Sequence, residues 1–301
     1  MPTDTLTRPL QRIALNGATM GTRYSAVFYA GVTPNGLPQA LQRSVDAVDD
    51  QMSTWKPQSD LMRFNRAALG SWVTVPHGLL HVVEAGLVVG RLTGGAFDLG
   101  VLDLVAAWGF NDTLGKPDRH RVANLAATSR RPAHDCLELD VTNRRMRKLG
   151  PVTLDLSGIA KGYGVDQLAE TMLAFGIGDF LVSIDGEVRA RGRKADGTAW
   201  RVAIEAPVAG RREAAGAIDL EDAALATSGD YRHAVDLDGS TFSHTMDPRT
   251  GRPLANGIHA VTVRAATCMQ ADAWATAVMV LGEGALPLVR RLGMEALIAT
   301  D

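Results

Sequence analysis

The sequence predicts an α+β protein with mostly antiparallel sheets and helices packed on them. Residues 37–52 place Leu41, Val45 and Val48 on one face at helical spacing. Residues 136–156 instead alternate between apolar and polar in two pieces, as expected of a hairpin. The predicted helices are interspersed with strands that are mostly joined by short links, which is typical of this fold class.

The first half of the chain is predicted to begin with a strand and to continue with helices. Alternation after Met20 predicts the strand, and Gly94-Gly95 stop the second helix. The predicted elements are a strand over 10–30, a helix over 37–52, a loop over 53–65, a helix over 78–92, a short helix over 99–108 and the hairpin over 136–156.

The second half is predicted to add one long helix and the larger share of the strands. Val165, Leu168 and Met172 share a helical face that ends at Gly176. β-forming residues predict the strands. The elements are a helix over 158–176, a strand over 180–191 with expected partners at 199–205, 216–219, 223–227 and 231–243, a strand over 258–264, and helices over 271–281 and 284–293.

Length and composition fit one folded unit. The 301 residues suit one large domain or two closely packed parts, and no repeat of 20–50 residues is visible. We therefore predict a single domain over residues 10–301 and a disordered segment over 1–9.

Charge and cysteine usage exclude several function classes. The 31 basic and 33 acidic residues give a net charge of −2, which does not favour a nucleic-acid partner. Cys136 and Cys268 are far apart and no CxxC occurs, so neither a structural zinc site nor a disulfide framework is expected.

The sequence carries no recognisable membrane or export signal. The best apolar window, Gly78 to Leu92, contains His81, Glu84 and Arg91, so no membrane span is expected. The first residues lack a signal-peptide pattern or lipobox cysteine, which predicts a cytoplasmic location for the sequence as written. If the natural chain begins earlier, the periplasm becomes the expected compartment.

The segment DLSGIAKGYGVD, residues 155–166, is the first candidate for a site. Lys161 lies in the first turn of a predicted helix, where exposed N–H groups and the lysine favour an anion. The spacing is neither that of a P-loop nor that of a dinucleotide fingerprint. Taken on its own, this segment is better explained as a capped surface helix with a solvated lysine.

The segment ADAWAT, residues 271–276, is the second. Asp272 and Thr276 are four residues apart and share a helical face. A carboxylate and a hydroxyl suit Mg²⁺, which leaves its other positions to water and phosphate. Taken on its own, this segment is better explained by an acidic residue near the positive end of a helix dipole.

The segment SHTMDPRTGRP, residues 243–253, is the third. Pro248, Gly251 and Pro253 predict a tight loop around His244 and Asp247. Histidine titrates near neutrality, so His244 is a candidate general base.

Aromatic residues between polar loops make the fourth candidate. GGAFDLG, residues 94–100, carries Phe97, and MSTWKPQSDLMRFN, residues 52–65, carries Trp55. Together with Met20 they could line a planar aromatic ligand, although each is equally compatible with a core position.

These segments occur in the order and spacing of one family. The sequence resembles the ApbE-type FAD:protein FMN transferases from about Met20 to the C-terminus. MGT at 20–22, WGF at 108–110 and ATSGDY at 226–231 complete the set. Two departures are visible: Leu102-Asp103 replaces a frequent proline, and Asp185-Gly186 replaces a frequent pair of glycines.

The resemblance implies an ApbE-like, T-fold-related structure in which FAD lies in a cleft between two closely associated subdomains. The residues implied at the FAD site are Met20, Trp55, Ala96, Phe97, Asp98, Asp155, Lys161 and Met246. Those implied as ligands of a Mg²⁺ ion are the Gly158 carbonyl, Asp272, Thr276 and the Ala275 carbonyl.

The implied activity is the transfer of FMN from FAD to a Ser or Thr hydroxyl of an acceptor flavoprotein, with release of AMP. Mg²⁺ and Lys161 would neutralise the pyrophosphate charge. His244 is the predicted base, with Asp247 and Asp60 in reserve. The alternatives are an FAD pyrophosphatase, which uses water as acceptor, and a flavin-binding protein without catalytic activity.

Overall fold

A computed structural model describes residues 9–110, 116–205, 213–230, 234–237, 240–243 and 245–300. It confirms the predicted α+β class with antiparallel sheets. Residues 1–8 of the segment expected to be disordered lie outside the described residues, and so does His244.

The helices of the described part are α1 (Leu37–Met52), α2 (Asp60–Arg66), α3 (His77–Leu92), α4 (Leu102–Ala107), α5 (Arg119–Ala127), α6 (Ala133–Cys136), α7 (Ala160–Ala174), α8 (Cys268–Leu281) and α9 (Leu286–Arg291). Its strands are β1 (Gln11–Thr19), β2 (Thr22–Ala30), β3 (Val73–Thr74), β4 (Leu137–Asp140), β5 (Arg145–Lys148), β6 (Phe180–Ile184), β7 (Glu187–Arg191), β8 (Trp200–Glu205), β9 (Ala214–Leu220), β10 (Ala223–Gly229), β11 (Ala234–Leu237), β12 (Ser240–Ser243), β13 (Met246–Asp247), β14 (Arg252–Pro253), β15 (Ile258–Ala265) and β16 (Glu295–Thr300).

The main sheet has the strand order β1-β2-β6-β7-β10-β15-β16, and each neighbouring pair is antiparallel. Two predicted single strands, 10–30 and 180–191, are in fact hairpins. They turn at Met20-Gly21 and at Asp185-Gly186, where Met20 and Asp185 adopt φ of 46° and 53°. Alternation continues through such tight turns, so it did not reveal the reversals.

Several predicted strand pairings are wrong. Of the segments expected to pair with 180–191, only β10 does so within the described residues, through β7. β8 pairs with β9, and β11 pairs with β12. The 53–65 loop contains α2, and β16 was not foreseen. Alternation identifies a strand but carries no information on its partner, which long-range packing selects.

Helices α1, α7 and α8 form the layer that positions the site. α7 packs between α1 and α8 and against β6 and β7, while α8 lies on β10 and β15. The β8–β9 hairpin contributes to a separate apolar cluster around Trp200, Leu220 and Leu225. The starts of α7 and α8 therefore meet beside the sheet.

Among the residues that the structure describes, one helical run has the length and composition to cross a membrane. It spans Cys268–Arg291, with 56% of its most apolar window buried in the protein. Most residues of α8 are buried, because the helix packs against β10 and β15 of the sheet and against α7. A helix enclosed in this way is apolar on all its faces. A buried core helix accounts for this composition, whereas the sequence had pointed to residues 78–92 as the most apolar window.

Candidate active site

The loop before α7 is tied to the GGAFDLG segment. The Asp155 N–H donates to the carbonyl of Leu99 at 2.8 Å, and Asp155 Oδ1 accepts the Ser157 N–H at 2.7 Å. Asp155 is buried. Two segments separated by more than fifty residues in sequence are thereby joined.

The start of α7 is less open to an anion than the sequence suggested. The N–H groups of Ile159 and Ala160 both donate to the Leu156 carbonyl, and the Gly162 N–H donates to Asp272 Oδ2 at 2.9 Å. These donors already have acceptors in the protein. An anion at this end would rely more on the Lys161 side chain than on the helix backbone.

α7 and α8 approach closely at a glycine. A Cβ at Gly162 would lie 2.3 Å from the carbonyl oxygen of Cys268 and 2.8 Å from Asp272 Cβ. Only a residue without a side chain allows this approach. It places the Asp272 carboxylate, 4% exposed, against the first turn of α7.

Thr276, one helical turn after Asp272, faces the DLSG loop. A Cβ at Gly158 would lie 3.1 Å from Thr276 Oγ1 and 3.5 Å from the Phe97 ring. Thr276 Oγ1 also lies 3.1 Å from Ser228 Oγ of the ATSGDY segment. Four of the segments singled out in the sequence therefore meet here, and Ala275 is buried beside them.

The site contains charged side chains that are largely buried. Lys161 Nζ donates to Glu187 Oε1 at 2.7 Å, and the Glu187 side chain is 3% exposed. Burial has the largest effect on the Asp272 carboxyl and, together with the negative charge of Glu187, raises its pKa to about 7. The positive charge of Lys161 opposes this increase. Burial alone would lower the pKa of Lys161, but Glu187 and Asp272 outweigh it and raise the pKa.

The donors present fit a hard cation. Asp272, Thr276 and the Gly158 backbone supply oxygen, and Mg²⁺ is held by few protein oxygens with water and phosphate completing its shell. Two buried carboxylates against one ammonium leave excess negative charge when both are ionised. Within the described ranges, no three His, Cys, Asp or Glu side chains form a metal-binding group, so a site built from those side chains is not found there.

The other residues implied at the FAD site differ in their surroundings. The Met20 Cε lies 3.0 Å from a Cβ built at Gly164 in α7, so Met20 borders this region. Asp98 Oδ1 accepts the N–H groups of Gly100 and Ala133 at 2.9 Å, and burial raises its pKa. Ala96 is buried.

Trp55 and Met246 are not brought to the residues around Gly158 by any described contact. Trp55 is 62% exposed. Met246 is buried in a separate cluster with Leu104 and Trp108. Their assignment to FAD remains a prediction.

The reserve bases already have partners. Both oxygens of Asp247 accept hydrogen bonds from Arg249, all within 3.0 Å. Oδ1 accepts from the backbone N–H and from Nε of Arg249, and Oδ2 accepts from Nη2. Asp60 contacts Arg63 one turn along α2. The position of His244 lies outside the described residues.

Sequence reasoning missed several residues that build the site. Asp166 accepts the N–H groups of Cys268 and Met269 at 2.9 Å and pairs with Arg189, so it fixes the start of α8 to α7. Asn65 bonds the N–H and carbonyl of Leu154 at 2.8 Å. Both lie inside quoted motifs, but no local signal distinguishes a polar residue that bonds a distant backbone.

A cavity of about 300 Å³ lies elsewhere in the molecule. It is lined by Arg12, Val27, Tyr29, Leu181, Lys194, Trp200 and Arg201. None of the predicted site residues borders it, and its lining holds no carboxylate for a cation. The cavity therefore does not represent the predicted FAD cleft.

Comparison with known proteins decides the family. The model of the ApbE family matches residues 20–298. The chain belongs to the ApbE family. The FAD:protein FMN transferase of Vibrio cholerae is 38% identical over 280 residues, covering 92% of this chain and 83% of the relative.

Solved structures of ApbE proteins share the fold. The flavin transferase ApbE from Vibrio cholerae aligns with a TM-score of 0.84 and 34% identity, covering 97% of this chain and 94% of that one. The ApbE protein from Thermotoga maritima aligns with a TM-score of 0.86 and 27% identity, covering 96% and 94%. These matches confirm both the resemblance and the fold class predicted from the sequence.

Proposed function

We propose that this chain is a Mg²⁺-dependent transferase that moves FMN from FAD to a Ser or Thr hydroxyl of an acceptor flavoprotein. Relatives over nearly the whole chain carry the name FAD:protein FMN transferase. The observation that carries the proposal is the meeting of Gly158, Asp272 and Thr276 beside the Lys161–Glu187 pair. This cluster offers oxygen donors for a cation next to a positive charge for a phosphate.

The reaction is a phosphoryl transfer. The acceptor hydroxyl oxygen attacks the phosphorus of the FMN half, the bond from that phosphorus to the bridging oxygen breaks, and AMP leaves with the bridging oxygen. The hydroxyl proton passes to a base, for which His244 is the candidate. Lys161 stabilises negative charge on the pyrophosphate as it shifts towards AMP. When bound by Gly158, Asp272 and Thr276, Mg²⁺ would supply Lewis-acid stabilisation of the same charge.

The test is transfer to a defined acceptor. The protein is incubated with FAD, Mg²⁺ and a flavoprotein domain that carries an exposed Ser or Thr, and the acceptor is examined by intact-protein mass spectrometry. We expect a mass increase of one FMN less one water, lost when the acceptor residue is changed to Ala. FMN and AMP released without modified acceptor would identify a pyrophosphatase instead.

A further inference from the structure

Glu187 is a buried acid at the site to which neither motif nor mechanism has given a role. It is the first residue of β7, directly after the Asp185-Gly186 turn, and its side chain is 3% exposed. Oε1 accepts from Lys161 Nζ at 2.7 Å. Oε2 is buried and has no hydrogen-bond partner among the described residues.

The pair is asymmetric in its exposure to solvent. The Lys161 side chain is 34% exposed and that of Glu187 is 3% exposed, so Glu187 contacts the ammonium from the buried side. A free lysine on a four-carbon stem samples many rotamers, and fixing it in one of them costs side-chain entropy. A carboxylate that fixes the ammonium beforehand removes that cost from the transfer step.

Stability alone does not explain a carboxylate at this position. Buried ion pairs usually contribute little net stability, because desolvation offsets the attraction, and apolar residues of similar size often serve as well. Here the buried partner stands next to a second buried acid, Asp272, whose charge it opposes. Two buried carboxylates lower the stability of the fold, but they hold the Lys161 ammonium at a defined position.

We propose that Glu187 is a positioning residue, which holds the Lys161 ammonium beside Asp272 so that the pyrophosphate of FAD meets an already oriented cation. The inference rests on the proposed function, because it concerns the same FAD site. Preorganised charge is most effective in the transition state, where negative charge moves towards the leaving group. Loss of Glu187 therefore affects the rate of transfer more than the affinity for FAD.

The experiment compares Glu187→Gln, Lys161→Met and the double variant. Glu221→Gln is the matched control, since Glu221 forms an exposed pair with Arg193 at 2.6 Å in the turn after β9. For each protein we would measure the melting temperature, the dissociation constant for FAD with Mg²⁺, and kcat and KM for FMN transfer at a temperature far below unfolding.

In Glu187→Gln we expect kcat to fall about tenfold, because the cation remains but its position is no longer fixed. The dissociation constant for FAD should change less than about threefold. Lys161→Met leaves Glu187 buried without its partner and should melt at a lower temperature. The double variant should regain the melting temperature but not the transfer rate. A wild-type kcat in Glu187→Gln, or recovery of transfer in the double variant, would overturn the proposal.

A spectroscopic readout separates this inference from the proposed function. In protein labelled with ¹⁵N-lysine, the Lys161 ammonium resonance, assigned by its absence from Lys161→Met, should shift when FAD and Mg²⁺ are added. Glu187→Gln should broaden it before addition. Transfer without such a shift would refute the positioning role alone. A shift without transfer to any acceptor would refute the proposed function and leave the role of Glu187 standing.

Discussion

Substitution of Gly162 by Ala tests whether close contact between α7 and α8 places Asp272. The added Cβ would lie 2.3 Å from the Cys268 carbonyl oxygen and 2.7 Å from its carbonyl carbon. Both atoms belong to the backbone of α8, so no side chain can rotate away. The helices must separate by about 1 Å to restore an ordinary contact, and the hydrogen bond from the Gly162 N–H to Asp272 lengthens with them.

The expected cost follows from two opposing effects. Alanine favours a helix interior over glycine by about 0.5–1 kcal/mol. Overpacking a close-packed contact typically costs 1–3 kcal/mol, or more where backbone must move. We therefore expect net destabilisation of about 1–2 kcal/mol, which is a fall in melting temperature of about 2–3 °C for a chain of 301 residues. Displacement of Asp272 should also weaken Mg²⁺-dependent binding of FAD.

Calorimetry and FAD titration with and without EDTA would measure both effects. Gly178→Ala is the matched control, because a Cβ there meets nothing within 4 Å and its φ is not positive. A Gly162→Ala protein that melts at or above the wild-type temperature and binds FAD normally would show that the helices tolerate the methyl group. Close contact at this glycine would then not be what places Asp272.

Four further outcomes are expected. The raised pKa of Asp272, about 7, means that the metal-free native state binds this proton more tightly than the unfolded chain, so stability falls as pH rises from about 4 to 7. Asp272→Asn should therefore raise the melting temperature in EDTA at pH 8 more than at pH 5; an equal effect at both would contradict the linkage. Trp55→Ala should leave the melting temperature unchanged, as Trp55 is 62% exposed, but remove much of the FAD-dependent quenching of tryptophan fluorescence. Asn65→Ala should cost about 2–5 kcal/mol in chemical denaturation, because the backbone N–H and carbonyl of Leu154 lose their partners; a cost below 1 kcal/mol would mean that water replaces them. His244→Ala should slow single-turnover transfer about 10²–10⁴-fold with little change in FAD affinity, and an unchanged acidic limb of the pH–rate profile would place the base elsewhere.

The segments of the site were visible in the sequence because each combines residue types that packing does not require. Asp272 and Thr276 share a helical face by spacing alone, and Gly158 precedes a helix start that contains Lys161. The family resemblance then supplied the order of the pieces and their implied ligands. Local pattern also placed most helices, since helical periodicity spans a dozen or more residues and is difficult to mimic by chance.

The sequence by itself thus determined the fold class, the family and the segments that form the site. Tertiary structure alone decided which strands pair, that Asp166 caps α8 from α7, and that Glu187 holds Lys161. The physical reason is the separation in sequence over which each interaction acts. Helical spacing and turn chemistry act between residues a few positions apart, whereas Glu187 and Lys161 are 26 residues apart and Gly162 and Asp272 are 110 apart. Contacts over such separations form only when sheet register and helix packing bring the chain together.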